Sequence, residues 1–450
     1  MGRIVCRMKR LRRAAVRRRA PLARALRPLR RVLAAAAATR SGGAAREIQL
    51  GWDDSPQHAL TVRWVGDSRR NPALARIRRC GGGEGGDWSE WPAATQRRPG
   101  SHGWLHVAEL RGLEPDCRYE LCVSCDPGCE TAFSEPFALR TAPASRDARV
   151  TAVFLCDVGL AGRPDGTSEA VPEIARAIAS ADPLCVLGGG DYVYADRDGR
   201  YFDPADAIGA WIEQMQPLLR GRAFLVQLGN HEVELVERID DWRPRLSCGR
   251  RSPSGLSGSF DFGPMHCVGL HAPGRAPSSA DLAWLEADLQ GEAARSAAWR
   301  VVFQHAPIFA HGRSHPARPE LRALMPIFDR LGVDLHLSGH DQSFERTHPL
   351  RADGSVAAPL ARADGEMRYA AGAGVVYAKV SPAGKHSDRG RGFSVLPLEA
   401  GPEIAARSDQ GHHWARLEAD ARELCLRVDA LSGPGAEVDC VDTLRLVRAT

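Results

Sequence analysis

The sequence predicts an α/β core, an α+β sandwich of two mixed sheets flanked by helices, preceded by a small all-β sandwich. Three observations predict it. From Val150 onward, short apolar runs alternate with stretches of helical period, the pattern of strands covered on both faces. Between residues 47 and 145 the runs alternate apolar with polar, are broken by frequent turns and show no helical period. Residues 401–450 return to alternating strands.

At 450 residues the chain is too long for one ordinary domain, and its apolar fraction of 44% is globular. The longest apolar stretch, Val32 to Ala38, is mostly alanine and far short of the roughly eighteen residues of a membrane span, so none is expected. The net charge of +5 is misleading, because residues 1–46 hold 15 Arg or Lys and no acid. That leaves 45 basic against 55 acidic residues in the rest. An acidic body does not steer onto nucleic acid, and no such partner is expected. The basic head reads as a disordered segment or a leader, its apolar stretch too short for an export signal.

After the head, HALTVRWVG, GWLHVAEL, CRYELCVS and AFSEPFALRT read as the strands of a front domain over 47–145. Five of the ten tryptophans, Trp52, Trp64, Trp88, Trp91 and Trp104, fall here and are read as its core and interface. Cys117, Cys122, Cys125 and Cys129 crowd one hairpin without the paired spacing of a zinc site, leaving a disulfide across the hairpin or none. TAPASRD marks the boundary. The second domain, 146–400, opens with strand VTAVFLCDVG, helix EAVPEIARAIASA and strand PLCVLGGGD. Helix AIGAWIEQMQPLL, strand RAFLVQLGNHE, the strands of SFDFGPMHCVGL and helix SADLAWLEADLQ follow. Strand WRVVFQHAP, helix PELRALMPIFDRLG and strand VDLHLSGHD complete the alternation. The strands of 401–450 are expected to complete this domain. Cys156 and Cys185, in apolar runs, read as small buried hydrophobes.

The chemistry lies at the strand tips. Five apolar runs end in a metal-capable or titratable group: Asp157, Asp191, Asn230 with His231, His305, and His340. Each alone has an ordinary explanation as a cap, a turn residue or a core histidine. Ligands of α/β sheets bind outside the carboxyl ends of strands, so five such tips can converge. Two aspartates, an asparagine and two histidines, with Tyr194 three residues past Asp191, suit divalent first-row metals, and Asp191 can bridge two of them. Paired ions clamp the attacking and leaving oxygens of an in-line displacement. GxSxG, P-loop and helix-opening GxGxxG motifs are absent.

The ordered blocks DVG (Asp157 to Gly159), GDYVY (Gly190 to Tyr194), GNHE (Gly229 to Glu232), VFQH (Val302 to His305) and GHDQ (Gly339 to Gln342) resemble the five motifs of calcineurin-like metallophosphoesterases. Tyr194 narrows the resemblance to the purple acid phosphatase branch. That branch has a fibronectin-III-like domain before the catalytic one, and LTVRWVG, HVAELRGLEPDCRYEL and FALRTAP look like it. The resemblance implies a hydrolase that cleaves phosphomonoesters of small molecules by attack of metal-bound water at a dinuclear centre, with phosphodiesters as an alternative. It implies Fe(III) in the first position, held by Asp157, Asp191 and the phenolate of Tyr194. Asp191 would bridge to a second ion, Fe, Zn or Mn, held by Asn230, His305 and His340. His231 and His315 become candidate general acids, with His311 the nearby alternative to His315. Relatives are often exported, which points to a secreted or periplasmic protein, with the cytoplasm as the alternative.

One position departs from the family. Gln342 stands where the pattern ends in a histidine ligand of the first ion. If its carbonyl oxygen coordinates, the first position is all oxygen and suits a hard ion. If it does not, that position is loosened, and the fold survives as a pseudoenzyme or binding module. Substrate identity and oligomeric state are not legible in the sequence.

Overall fold

The computed structural model describes residues 44–448, except 68–72, 82–86, 99–102, 127–132, 163–168, 196–203, 235–237, 248, 314, 358–360, 364–365 and 386–394. The basic head, up to residue 43, lies outside the described residues, as does Cys129.

The front region holds β1 (Arg46–Gly51), β2 (Ala59–Gly66), β3 (Leu74–Arg79), β4 (Ser89–Pro92), β5 (Ala94–Arg97), β6 (Trp104–Arg111), β7 (Arg118–Ser124) and β8 (Phe137–Arg140). The core follows with β9 (Val150–Leu155), β10 (Cys185–Gly188), β11 (Ala223–Val226), β12 (Arg250–Arg251), β13 (Gly258–Phe262), β14 (Met265–Gly269), β15 (Trp299–Phe303) and β16 (Leu335–Ser338). It closes with β17 (Phe344–Thr347), β18 (Ala361–Ala363), β19 (Glu366–Ala370), β20 (Val376–Lys379), β21 (Ile404–Ser408), β22 (His412–Ala419), β23 (Glu423–Leu431) and β24 (Val438–Val447).

In the front region the run β1-β2-β6-β5 faces the sheet β4-β3-β7-β8. Val62, Trp64, Ala75, Leu121 and Val123 are buried between them. Period-two alternation does this: in β3 the buried residues are Ala75 and Ile77, while their neighbours are half-buried or exposed. Trp52 and Trp64 are fully buried, whereas Trp88 lies beneath the Arg78 guanidinium at 4.6 Å. Cys117 sits against Glu114 and Cys125 is buried as a thiol.

The front region is not hung from a linker. β1 pairs in parallel with β11, Leu50 opposite Ala223, so its sheet runs on into one of 12 strands, β18-β19-β24-β23-β22-β9-β10-β11-β1-β2-β6-β5. The second core sheet has 8 strands, β12-β13-β14-β15-β16-β20-β17-β21. Phe154, Leu187 and Leu225 of the first sheet and Val301, Phe303, Leu335 and Leu337 of the second belong to one buried core between the two sheets. The helices Val171–Ser180 and Pro204–Gln214 cover the outer face of the first sheet through Ile174, Ile178, Ile208 and Trp211. Ser279–Leu289 and Met325–Arg330 cover the second through Leu285, Leu289 and Phe328. This is the four-layer metallophosphoesterase fold the sequence predicts.

PELRALMPIFDRLG, expected as one helix, splits into a 3-10 segment Pro319–Leu324 and an α-helix Met325–Arg330. Pro326 lacks the N–H that a continuous helix needs and sits in the first turn of the second segment instead. Among the described residues no helix is long and apolar enough to cross a membrane.

β9, β10 and β11 are parallel in register, as are β14, β15 and β16, so two sets of carboxyl ends open on the same edge of the stacked sheets. Behind them on β14 is a fully buried His266, with Nδ1 2.7 Å from Asp261 and Nε2 2.9 Å from Asp288. Arg250 reaches the same two carboxylates, at 2.5 and 3.6 Å. Burial alone would lower the imidazole, but the hydrogen bonds to both aspartates outweigh it and raise His266 above its ordinary value. A raised folded-state value stabilises fully below the unfolded value of about 6.5 and is lost as pH climbs through the folded one. The melting-temperature gap between wild type and His266→Gln is therefore expected to narrow as pH rises above about 6.5, as followed by circular dichroism. A gap that widens would contradict the pairing.

Candidate metal centre

The tips of the strands carry unusual backbone. Asp157, Asp191, Tyr194 and His340 have φ of 57°, 55°, 54° and 70°, the left-handed region that short polar side chains tolerate and tyrosine rarely adopts. Pairing between β9 and β10 continues past the strands: Asp157 N–H donates to Gly190 O at 3.1 Å, Val158 to Asp191 O at 3.0 Å, and Gly159 to Tyr192 O at 2.8 Å. The first two blocks are thereby locked side by side. Gly190 lets the third approach, since a Cβ there would lie 2.4 Å from the Gly229 nitrogen. A Cβ on Gly339 would lie 2.1 Å from Cys156 Sγ, so the fifth block also rests on the first.

Across this edge the side chains meet. His305 Nε2 lies 3.1 Å from Asn230 Oδ1, 3.0 Å from His340 Nδ1 and 3.4 Å from Asp191 Oδ2. Donors about 2.1 Å from a shared ion stand roughly 3.0 Å apart at right angles, so these spacings fit a first-row cation. The His305 tautomer is fixed as well. Its Nδ1–H donates to Gly189 O at 2.9 Å, which leaves the Nε2 lone pair facing the cluster. Asp191, His305 and His340 form one group of potential metal ligands within 4.8 Å of one another, and Cys156, Asp157 and His305 form another.

Asp157 occupies the adjoining position. Its Oδ2 accepts from His340 N–H and Ser381 Oγ, both at 2.8 Å, while its Oδ1 accepts the Tyr194 hydroxyl at 2.9 Å. Gln342 is buried, and its Oε1 has no hydrogen-bond partner among the described residues. A buried carbonyl oxygen without a donor costs free energy unless something else takes its lone pairs. Carboxylate, imidazole, phenol and amide oxygens are donors that suit metal cations, so the residues present fit a metal centre.

The electrostatics are those of an acidic pocket awaiting positive charge. Burial alone would raise the Asp191 carboxyl, but the imidazoles of His305 and His231 hold it below its usual range. Burial would lower His305, yet Asp191 carries it up to about 9. Burial, followed by His305 and His315, drives His340 well down. Burial and the carboxylates of Asp157 and Asp191 push the Tyr194 phenol well up, so a phenolate there needs a cation beside it.

The candidate acids are placed differently. His231 packs its ring 4.3 Å from Tyr194, with Nε2 3.9 Å from Asp191 Oδ2. His315 is half-buried with its ring 4.6 Å from that of His340. His311 turns away to Glu345 and Glu403, at 2.9 and 3.2 Å.

Residues the sequence reading passed over hold this arrangement. The buried Glu232 carboxylate accepts three backbone N–H groups, from Asp191 at 2.8 Å, Tyr192 at 2.9 Å and Gly229 at 2.7 Å, tying the second block to the third. Burial and nearby Asp191 push it up to about 7. Lys379, fully buried on β20, gives its ammonium to Asp341 at 2.6 Å, Ser343 at 2.8 Å and Glu345 at 2.6 Å. Asp341 Oδ1 in turn accepts the His315 N–H at 3.3 Å. Lys385, also buried, places Nζ 5.2 Å from the centre of the Tyr194 ring. A charged residue closing the apolar run VVYAK was the signal available for Lys379.

The calcineurin-like phosphoesterase family model matches residues 152–344, the stretch that carries this fold and site. Over that stretch the chain is similar to these phosphoesterases, and its curated relatives are purple acid phosphatases and acid phosphatases. It is 29% identical over 223 residues to purple acid phosphatase 18 of Arabidopsis thaliana, covering 47% of each chain. It is 25% identical over 269 residues to acid phosphatase type 7 of Homo sapiens, covering 55% of this chain and 58% of that one. It thus spans about half the length of the curated relatives it matches. A purple acid phosphatase from yellow lupin (Lupinus luteus) seeds superposes with a TM-score of 0.72 at 15% identity, over 90% of this chain and 75% of the other, which supports the fold.

Replacing Lys379 by Met would leave Asp341 and Glu345 buried without their cation. Breaking such a pair from one side costs about 3–5 kcal/mol, and a matching fall in urea-unfolding stability is expected. Adding Glu345→Gln should recover part of it.

Proposed function

We propose that this protein is a metal-dependent phosphoesterase that hydrolyses phosphomonoesters of small molecules at a dinuclear centre. The observation that carries this reading is the meeting of His305 Nε2, Asn230 Oδ1, His340 Nδ1 and Asp191 Oδ2 within 3.0 to 3.4 Å of His305, drawn from four separate strand ends. The acid phosphatase names of the relatives supply the substrate class. Asp157, Asp191, Tyr194 and Gln342 would hold the first ion, and Asp191, Asn230, His305 and His340 the second. The ions would supply positive charge to the phosphoryl oxygens and acidify a water.

The chain's own groups do the rest. Asp191 Oδ1 is engaged by the His231 N–H at 3.0 Å, which orients Oδ2 toward the second position. Asp157 is oriented by His340 N–H and Ser381, both on Oδ2, so Oδ1, which meets the Tyr194 hydroxyl, is the oxygen that would hold the first ion. His231 on the Tyr194 side and His315 on the His340 side flank a phosphoryl group set between the two positions. One contacts a non-bridging oxygen and the other gives a proton to the departing alkoxide, a contribution of about 10²–10⁴ in rate. His231 is the first assignment for the proton.

His340→Ala should lose metal, read by elemental analysis, together with at least about a hundredfold in kcat on a chromogenic phosphomonoester, because even residues that merely orient ligands cost 10–100-fold. Wild-type protein that binds less than one ion and turns over nothing with added Fe, Mn or Zn would overturn the reading. Gln342→His should retain iron longer against a chelator than wild type, and Gln342→Leu should retain it for less time. Equal retention in all three would mean that residue 342 is no ligand.

A further inference from the structure

The strands that carry the candidate metal centre at their carboxyl ends begin on the far side of the sheet. β9, β10 and β11 start at Val150, Cys185 and Ala223, beside a cavity of about 430 Å³ between the front region and the core. At about 3.3 Å per residue, the strands put this cavity roughly 20–23 Å from the centre.

Five arginines line it, Arg118, Arg140, Arg149, Arg220 and Arg222, against a single acid, Asp182. Arg140 pairs with Asp116, and Arg149 with Glu418 at 2.5 Å. Arg118 and Arg222 share Asp182, each at 3.3 Å. Among the described residues Arg220 pairs with no acid; it reaches Glu135 O at 2.5 Å and lies over the Phe137 ring at 4.8 Å. Five guanidiniums facing three carboxylates leave an excess of two positive charges. The Nε atoms of Arg220 and Arg222 are buried and have no hydrogen-bond partner. The excess charge sits on planar, permanently charged groups, which suit an anion with several acceptors. The remaining wall is apolar, with Phe137, Leu139, Leu184 and Pro217.

A phosphomonoester has about two negative charges at neutral pH, three acceptor oxygens and an organic group for the apolar wall. We propose that this cavity is a second, non-catalytic binding site for a small organic phosphomonoester. Inorganic phosphate offers the same oxygens without the organic group, so the two can be told apart by affinity.

The test is calorimetric titration of the metal-loaded full chain with phenylphosphonate, which is not hydrolysed, and with inorganic phosphate at constant ionic strength. Two phenylphosphonate sites per chain are expected. Arg220→Gln should weaken one of them at least about tenfold, as loss of a charge-assisted hydrogen bond implies, and leave phosphomonoester turnover unchanged. Arg222→Gln should weaken the same site. His340→Ala should remove only the other, so failure of the catalytic reading and failure of this one separate. A single site in the wild type, untouched by Arg220→Gln, overturns the proposal. Inorganic phosphate binding at the arginine site as tightly as phenylphosphonate overturns the organic part of the ligand.

Discussion

The centre depends on backbone that a chain does not adopt without support. Asp157, Asp191, Tyr194 and His340 all sit at φ between 54° and 70°. Such conformations cost on the order of 1–3 kcal/mol each and persist only where the surroundings over-determine them. Here the surroundings do so twice. The parallel pairing of β9 with β10 extends through Asp157, Val158 and Gly159, fixing the first turn on the second. Glu232 then takes the N–H groups of Asp191, Tyr192 and Gly229, fixing the second on the third. Left-handed turns matter because they swing a side chain back across the strand end. Asp191 and His305, on different sheets, come to face each other only by that reversal.

Charge explains why such a cluster is tolerable. Two buried carboxylates, a phenol and unpartnered amide oxygen are costly in a low-dielectric pocket, and His305 offers only one proton against them. Cations remove the conflict. If Gln342 is a ligand, as proposed, the exchange of imidazole for amide is conservative in one respect and not in another: both groups are neutral donors, so the formal charge of the ligand set would be unchanged. What would change is softness, from nitrogen to oxygen, which would favour hard ions. Lys385, buried beside the Tyr194 ring, adds a positive charge to the same region and favours phenolate over phenol.

Much of this was legible before any coordinates. Parallel strands deliver their carboxyl tips to one edge, so Asp157, Asp191, Asn230, His305 and His340 could be read as neighbours although 183 residues separate the first from the last. The break in PELRALMPIFDRLG was also written in the chain, by Pro326, but local pattern alone does not say that the second half restarts on the same path. Glu232 was quoted within its motif, yet nothing in GNHE tells that its carboxylate reaches three backbone nitrogens. Lys379 needed the register of β20 against β17 to reveal its partners, since Asp341 and Glu345 lie more than thirty residues away in sequence. The pairing of β1 with β11 was beyond reach for the same reason. Alternation specifies that a strand has a buried face, not which edge it joins.

That last junction shapes more than the outline. Glu47, on β1, is buried with Arg98 at 3.0 Å and with Arg245, and Arg98 also reaches the carbonyl of Ala205 at the start of the helix Pro204–Gln214. Gly209 of that helix admits the cluster, because a Cβ there would lie 2.3 Å from Glu47 Oε1. A buried ion triad of this kind adds little net stability over an apolar contact, given the desolvation of three charges. Its geometry, however, can be satisfied in one arrangement only. Apolar surfaces could slide between β1 and the helix, whereas Glu47 must find both guanidiniums. The cluster ties the front region to the core, its sheet continuous with the one that carries Asp157, Asp191 and Asn230. Both ends of β9, β10 and β11 are in this way held against rigid neighbours, one by the backbone network around Glu232 and the other by the packed front sandwich.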